Sequence, residues 1–128
     1  MTTRYVNPTG VATPTGYSHA VVKPGNPVFI AGQVAQDRDG NLVGRGDPQA
    51  QAKQVWANLA TMCEALGATL ADIVKITVYT TDLAYRPAIG EARSEAYPDG
   101  NLPASTFVVI SSLASPDYLV EIEAVVMV

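Results

Sequence analysis

The chain has 128 residues, of which 48% are hydrophobic, and its formal charge at pH 7 is −4. This length and composition predict a single globular domain over residues 1–128, with enough apolar side chains for one core. Only eight residues are lysine or arginine, and they are scattered along the sequence. Because clustered basic side chains bind nucleic acids and membrane surfaces, this pattern argues against both kinds of partner.

Two short strands and a long helix are predicted in the first half of the chain. Residues 19–23 and 28–31 are rich in apolar residues, and the Pro-Gly-Asn-Pro segment between them favours a turn, so we interpret the pair as a β-hairpin. Apolar side chains then recur at helical spacing over residues 48–66. Asp47 is the predicted N-cap of this helix, with a proline in its first turn.

The second half predicts strand, helix, strand and strand. Residues 74–81 alternate apolar and polar side chains, which indicates a strand with its even-numbered apolar residues inward. A second helix is expected over residues 83–97, although Gly90 weakens it. Residues 106–110 are apolar on both faces and predict a strand that is covered on both sides.

The last strand, residues 120–128, has one wholly apolar face and one mixed face. The mixed face carries Glu121 and Glu123 beside Val125 and Met127. Two helices can cover one face of such a sheet in an α+β fold, but no element is left to cover the other. We therefore expect this second face to lie against another subunit.

Cysteine and histidine each occur once, as Cys63 and His19, which excludes an internal disulfide and makes a zinc site improbable. Cys63 lies on the apolar stripe of the first helix, where a thiol is inert packing, and Trp56 at the border of that stripe is interpreted as core or interface. No apolar core of a signal peptide and no membrane-length apolar stretch is present. We expect a soluble, cytoplasmic protein without a metal.

Five segments together resemble the Rid family, the YjgF-like proteins also known as reactive intermediate deaminases or L-PSP endoribonucleases. The resemblance implies a chorismate-mutase-like α+β subunit, a mixed β-sheet with two helices on one face, and a homotrimer around the other face with clefts between subunits that bind small molecules. It also implies hydrolysis of enamines and imines without a cofactor or metal. The segments are residues 16–20, 28–33, 75–83, 103–106 and 120–124.

The resemblance also assigns candidate site residues, some retained and some changed from the family pattern. Glu121 is the candidate catalytic carboxylate, which would position and activate water. Ser105 stands where the family places the arginine that binds the substrate carboxylate. Three substrate-binding positions keep the family residue: Tyr17, Gly32 and Gln33. Four others are changed: Ala31 replaces a serine, Gly90 an asparagine, Ser105 the arginine and Phe107 a cysteine.

Ser105 decides the functional prediction, because a hydroxyl has neither the charge nor the bidentate fork of an arginine. The first hypothesis is a trimeric small-molecule-binding protein whose 2-iminoacid deaminase activity is weak or absent. The second is an active deaminase in which Arg86 or Arg93 supplies the cation. The third, an endoribonuclease or translation inhibitor, is disfavoured by the excess of acidic over basic residues. Glu121 is open to a structural interpretation as well, an ion pair with Lys75 across the sheet.

Overall fold

The computed structural model describes residues 2–128, so Met1 of the expected domain lies outside the described part. In chain order the main elements are β1 (Arg4–Val6), β2 (Ala20–Val22), β3 (Pro27–Gln33), α1 (Pro48–Ala65), β4 (Ile73–Thr80), α2 (Arg86–Ala96), β5 (Ala104–Val109) and β6 (Val120–Met127). Short 3-10 helices at Leu70–Asp72 and Leu83–Tyr85 precede β4 and α2.

The main sheet has four strands in the order β3-β6-β4-β5. Strand β6 runs antiparallel to both β3 and β4, whereas β4 and β5 are parallel, so the sheet is mixed. Inward residues of α1 and α2 share one core with the inward residues of β3, β4 and β6. The predicted α+β architecture, two helices on one face of a mixed sheet, is confirmed. Among residues 2–128, neither helix is long and apolar enough to cross a membrane.

Helix α1 begins and ends where the sequence indicates. The Asp47 carboxylate accepts hydrogen bonds from the backbone N–H groups of Gln49 and Ala50, both at 3.1 Å, and Pro48 occupies the first turn. After the helix, Gly67 adopts φ +71°, a conformation that glycine reaches without steric cost. The second predicted helix is also present, but its first turn is the 3-10 helix and the α-helix begins at Arg86.

The predicted hairpin of residues 19–23 and 28–31 is wrong, although both strands exist. Strand β2 pairs with β1, which the sequence did not indicate because it is only three residues long, and β3 pairs with β6. The turn between them is held by Asn26, whose backbone N–H and C=O both bond to Val128, at 2.7 and 2.9 Å. Two prolines in this turn lack the amide donors of a hairpin ladder, so the strands diverge into separate sheets.

Two expectations about strand faces are corrected. The register of β4 against β6 shifts between Ile73 and Lys75, so Ile73 is buried and Val74 is only half-buried. Strand β5 is not covered on both sides within the chain, because it lies at the sheet edge with Thr106 and Val109 exposed. Within the described residues, β5 is therefore only partly covered on each of its sides.

Strand β6 alternates as predicted, with Val120, Ile122, Ala124 and Val126 buried under the helices. No helix of residues 2–128 covers the opposite side of the sheet, which we call the open face. Phe29 on this face is 77% exposed, opposite Val125 of β6. The open face is formed by Phe29, Lys75, Thr77, Tyr79, Thr106, Val108, Glu121, Glu123, Val125 and Met127.

Candidate functional site

A cavity of about 220 Å³ lies on the helix side of the sheet, between α2 and the edge strand β5. Its wall includes two arginine side chains and no carboxylate. Four of the predicted substrate-binding residues meet here, together with both arginines proposed as substitute cations. These lining residues are Tyr17, Arg86, Gly90, Arg93, Ser105 and Phe107. We refer to this space as the arginine cavity.

Arg93 extends from α2 into the arginine cavity. Its Nε is buried and has no hydrogen-bond partner in the described part of the chain. Burial lowers the pKa of the Arg93 guanidinium, and the nearby charge of Arg86 lowers it further. The ion pairs formed within residues 2–128 join other side chains, so this half-buried cation has no carboxylate beside it.

Two glycines lie beside the Arg93 guanidinium, and one of them makes room for it. A Cβ on Gly16 would lie 2.8 Å from each of Cζ, Nη1 and Nη2, so the planar group rests flat against this backbone position. Gly16 also has φ +82°, which disfavours any other residue. Gly90 lies one helical turn before Arg93, and a Cβ there would make ordinary contact with Nη2 at 3.6 Å. Gly16 therefore permits the observed position of Arg93.

Arg86 enters the arginine cavity beside Phe107. The guanidinium carbon lies 5.2 Å from the centroid of the Phe107 ring, within range of a cation–π interaction. Ser105 lies two residues before Phe107 on β5, so both side chains point to the helix side. In this chain the edge strand thus offers a small hydroxyl and an aromatic face, and the cations come from α2.

Tyr17 is held across the cavity by the segment that precedes β2. The buried Ser18 donates from Oγ to the carbonyl of Leu102 at 2.6 Å, and its backbone N–H bonds the carbonyl of Pro103 at 3.1 Å. The Tyr17 ring packs edge-on against His19, with centroids 5.3 Å apart. These contacts position Tyr17 close to the start of β5.

Trp56 of α1 also lines the arginine cavity, although its position on the helical stripe indicated only a core or interface residue. The side chain is 4% exposed, and its indole Nε1 has no hydrogen-bond partner among residues 2–128. Buried donors almost always find an acceptor. Sequence reasoning missed this donor, since no motif marks which side of a buried tryptophan faces a cavity.

Glu121 does not join the arginine cavity. It lies opposite Tyr79 on the open face, whereas Ser105 lies opposite Ile76 on the helix side. Burial raises the pKa of the Glu121 carboxyl, and the charge of Glu123 raises it further. Within one chain the sheet therefore separates the candidate catalytic carboxylate from the two arginines.

Gly32 is the retained residue that contacts Glu121. A Cβ on Gly32 would collide with the Glu121 carboxylate, so glycine is needed for the observed packing. Ala31 and Gln33 flank it at the end of β3, where the register against β6 is irregular, and the Gln33 amide donates to the carbonyl of Ala31 at 3.0 Å. The predicted site residues thus divide into a group around Glu121 and a group around the arginines.

The proposed ion pair between Glu121 and Lys75 is absent. The register of the two strands places Lys75 opposite Val125, four residues along the strand from Glu121. The Lys75 Nζ instead donates to the carbonyl of Ile76 at 2.7 Å and to Thr106 Oγ1 at 3.2 Å. Glu123 accepts a hydrogen bond from the Tyr79 hydroxyl at 2.6 Å. The structural interpretation of Glu121 as the partner of Lys75 is wrong.

Neither the single histidine nor the single cysteine lines the arginine cavity. His19 Nε2 is 2.7 Å from the carbonyl of Ala12, and the ring is exposed. Cys63 is fully buried in α1, and burial raises the pKa of its thiol, which disfavours the reactive thiolate.

A family model described as Endoribonuclease L-PSP, one of the names of the Rid family, matches residues 9–128. The chain belongs to the Rid family. A RutC family protein of Pyrococcus abyssi is 37% identical over 112 residues, which are 88% of this Rid chain and 87% of that protein. Rid-family similarity therefore extends over nearly the whole sequence.

Solved structures confirm the Rid fold. The Rid-family protein YyfB of Yersinia pestis, a protein of unknown function, has a TM-score of 0.92 and 37% identity, and the match covers 100% of both chains. RidA of the Antarctic bacterium Psychrobacter sp. PAMC 21119 has a TM-score of 0.74 and 36% identity over 91% of this chain and 92% of that chain. The predicted chorismate-mutase-like fold is confirmed.

Proposed function

We propose that this Rid-family chain binds a small carboxylate-bearing metabolite in the arginine cavity, with Arg93 as the residue that holds the carboxylate. The observation that carries the proposal is the half-buried guanidinium of Arg93, whose Nε has no acceptor and which has no carboxylate partner among residues 2–128. A cation removed from water is strongly disfavoured unless an anion accompanies it. A ligand carboxylate supplies that anion through a bidentate fork.

The changes from the family pattern support this assignment. Ser105 and Gly90 are smaller than the arginine and asparagine expected there, and both line the space that the Arg93 side chain enters. A cation carried by α2 can thereby serve the role that the family gives to a cation on β5. The apolar wall, which includes Trp56 and Ile76, lowers the local dielectric and strengthens the contact.

Calorimetric titration with 2-oxobutyrate tests this proposal, because the 2-oxoacid is a stable analogue of a 2-iminoacid. Arg93→Gln is expected to weaken binding at least about tenfold, since one charge-assisted contact contributes about 1.5–3 kcal/mol. Arg45→Gln is the matched control, because Arg45 is an exposed residue that pairs with Asp117 away from the cavity. Absence of binding to the wild type, or equal binding by Arg93→Gln, contradicts the proposal.

Assembly as a homotrimer around the open face is part of the proposal. Exposed apolar groups such as Phe29 lie beside the half-buried Val125 and Met127 on a sheet face without a helix. Trimers are typical of the family. Sedimentation velocity of Phe29→Asp is expected to show dissociation, whereas Val11→Asp, at another exposed apolar residue, retains the wild-type state. An unchanged trimer in Phe29→Asp, or a monomeric wild type, contradicts the assignment.

Imine or enamine hydrolysis is the second candidate function, and Glu121 favours it. A carboxyl with a raised pKa holds its proton more readily than an ordinary glutamate, which suits it to proton transfer. Because Glu121 lies across the sheet from the arginine cavity, hydrolysis requires a cleft completed by assembly. Release of 2-oxoacid from an enzymatically generated iminoacid, faster than the uncatalysed rate and abolished in Glu121→Gln, is the expected result. A wild type at the uncatalysed rate, or full activity in the variant, contradicts it.

A further inference from the structure

The arginine cavity holds more positive charge than one carboxylate neutralises. Both Arg86 and Arg93 line it, and no aspartate or glutamate does. We infer that the ligand is a small dicarboxylate, with one carboxylate on Arg93 and the other on Arg86. This inference rests on the proposed function and deepens it by naming the ligand class.

The placement of the two arginines on α2 suits a ligand with two charged ends. Arg86 and Arg93 stand at positions i and i+7 of the helix, which lie on the same helical face and about 10 Å apart along its axis. Both side chains reach the same cavity beside Ser105. A short aliphatic dicarboxylate therefore has a cation available at each end.

The Arg93 charge is half-buried and unfavourable without a counterion, whereas Arg86 is exposed to water at the edge of the cavity. Neither arginine belongs to an ion pair in the region that the structure describes, where the pairs join Lys23 to Asp72, Arg45 to Asp117 and Lys53 to Glu95. Arg86 is also the first residue of α2, where the helix dipole disfavours a cation. A monocarboxylate leaves one positive charge uncompensated, whereas a dicarboxylate compensates both.

The size and walls of the cavity suit such a ligand. A cavity of about 150 Å³ is known to hold benzene, so the 220 Å³ present here accommodates a molecule somewhat larger than six heavy atoms. Phe107 stacks under Arg86 and, with Ile76, forms an apolar wall against which methylene groups can pack. Succinate and glutarate combine this size with two terminal carboxylates.

Calorimetric titration of the whole protein with glutarate and with valerate, its monocarboxylate analogue, tests the inference. The wild type is expected to bind glutarate at least about tenfold more tightly at low salt, since the second charge-assisted contact is absent with valerate. Arg86→Gln should remove this preference and change valerate affinity less than about threefold, whereas Arg93→Gln should weaken both ligands. Arg45→Gln is the control and should match the wild type.

The outcomes separate this inference from the proposed function. Equal affinities for glutarate and valerate in the wild type, both lost in Arg93→Gln, overturn the dicarboxylate and leave carboxylate binding in place. A glutarate preference that persists in Arg86→Gln overturns the assignment of the second charge to Arg86. If inorganic phosphate binds more tightly than glutarate, the dicarboxylate inference is overturned in favour of a phosphate-bearing ligand. Failure of the wild type to bind either acid overturns both proposals.

Discussion

The two faces of the main sheet differ in charge and in covering. The helix side encloses a cavity with two arginines and no acid, whereas the open face carries Glu121 and Glu123 beside apolar side chains. Residues that alternate along β5 and β6 contribute to one side or the other. In this Rid-family subunit the cations beside Ser105 come from α2, independently of the carboxylates on the open face.

The largest expected effect is a difference in the stability loss caused by substitutions on the two faces of the sheet. Ile122→Ala, on the helix side of β6, is expected to lower the free energy of unfolding by about 2–5 kcal/mol, because Ile122 is 1% exposed within the core. Val125→Ala, on the open face of the same strand, should cost less, and its cost should grow with protein concentration as assembly buries it. Urea denaturation at two protein concentrations measures both. Equal costs at every concentration contradict the distinction between the faces.

The next effect tests the space beside Arg93. Gly16→Ala is expected to lower the free energy of unfolding by about 1 kcal/mol, from its positive φ, and to weaken 2-oxobutyrate binding at least about tenfold because the new Cβ displaces the guanidinium. Gly40→Ala is a matched control, since Gly40 has φ +81° and no atom within 4 Å of the added Cβ. Its stability cost should be similar, with binding unchanged. If Gly16→Ala and Gly40→Ala lose the same amount of binding, the contact between Gly16 and Arg93 does not contribute to it.

A smaller effect is expected from the hydrogen bond that holds Glu123. Tyr79→Phe removes the hydroxyl that donates to the Glu123 carboxylate at 2.6 Å. The free energy of unfolding should fall only slightly, because water can replace much of this hydrogen bond. Chemical denaturation measures the loss, and the double variant with Glu123→Gln should lose little more than the single one. Fully additive losses would contradict a direct interaction.

The smallest expected effect is a change in the pH dependence of stability when Glu121 is replaced. Its pKa is raised in the folded state, so the folded chain holds this proton more tightly than the unfolded chain does. Stability is therefore lost as the pH rises above the ordinary glutamate pKa and through the raised value. The melting temperature of Glu121→Gln should increase relative to wild type over that range, whereas Glu64→Gln, at an exposed glutamate, should run parallel to wild type. A difference that is constant with pH contradicts the shift.

Local signals predicted the elements well, and pairing was harder to predict. Asp47 and Pro48 marked the start of α1, and the alternation from residue 120 onward correctly divided β6 into two faces. The hairpin failed because turn residues define where a strand stops and not which strand it pairs with. The Glu121 to Lys75 pair failed for a related reason: the register between two strands distant in sequence depends on the whole sheet.

The candidate site could be predicted only in part from the sequence. The family pattern named Tyr17, Ser105 and Glu121 as candidates, but it could not indicate that the sheet separates the last of these from the others within one chain. Arg93 was a candidate without a motif, because a helical arginine has the same sequence signature whether it faces water or a cavity. The packing of its guanidinium on Gly16 is a three-dimensional property.

The contact between Gly16 and Arg93 also predicts which relatives share the arginine cavity. A side chain at position 16 and a guanidinium in this pose exclude each other, so we expect the two positions to change together. Relatives with a small residue in place of Ser105 should fall into two groups. Those with glycine and arginine at these positions should share the cavity, and those that lose one partner should be free to vary the other.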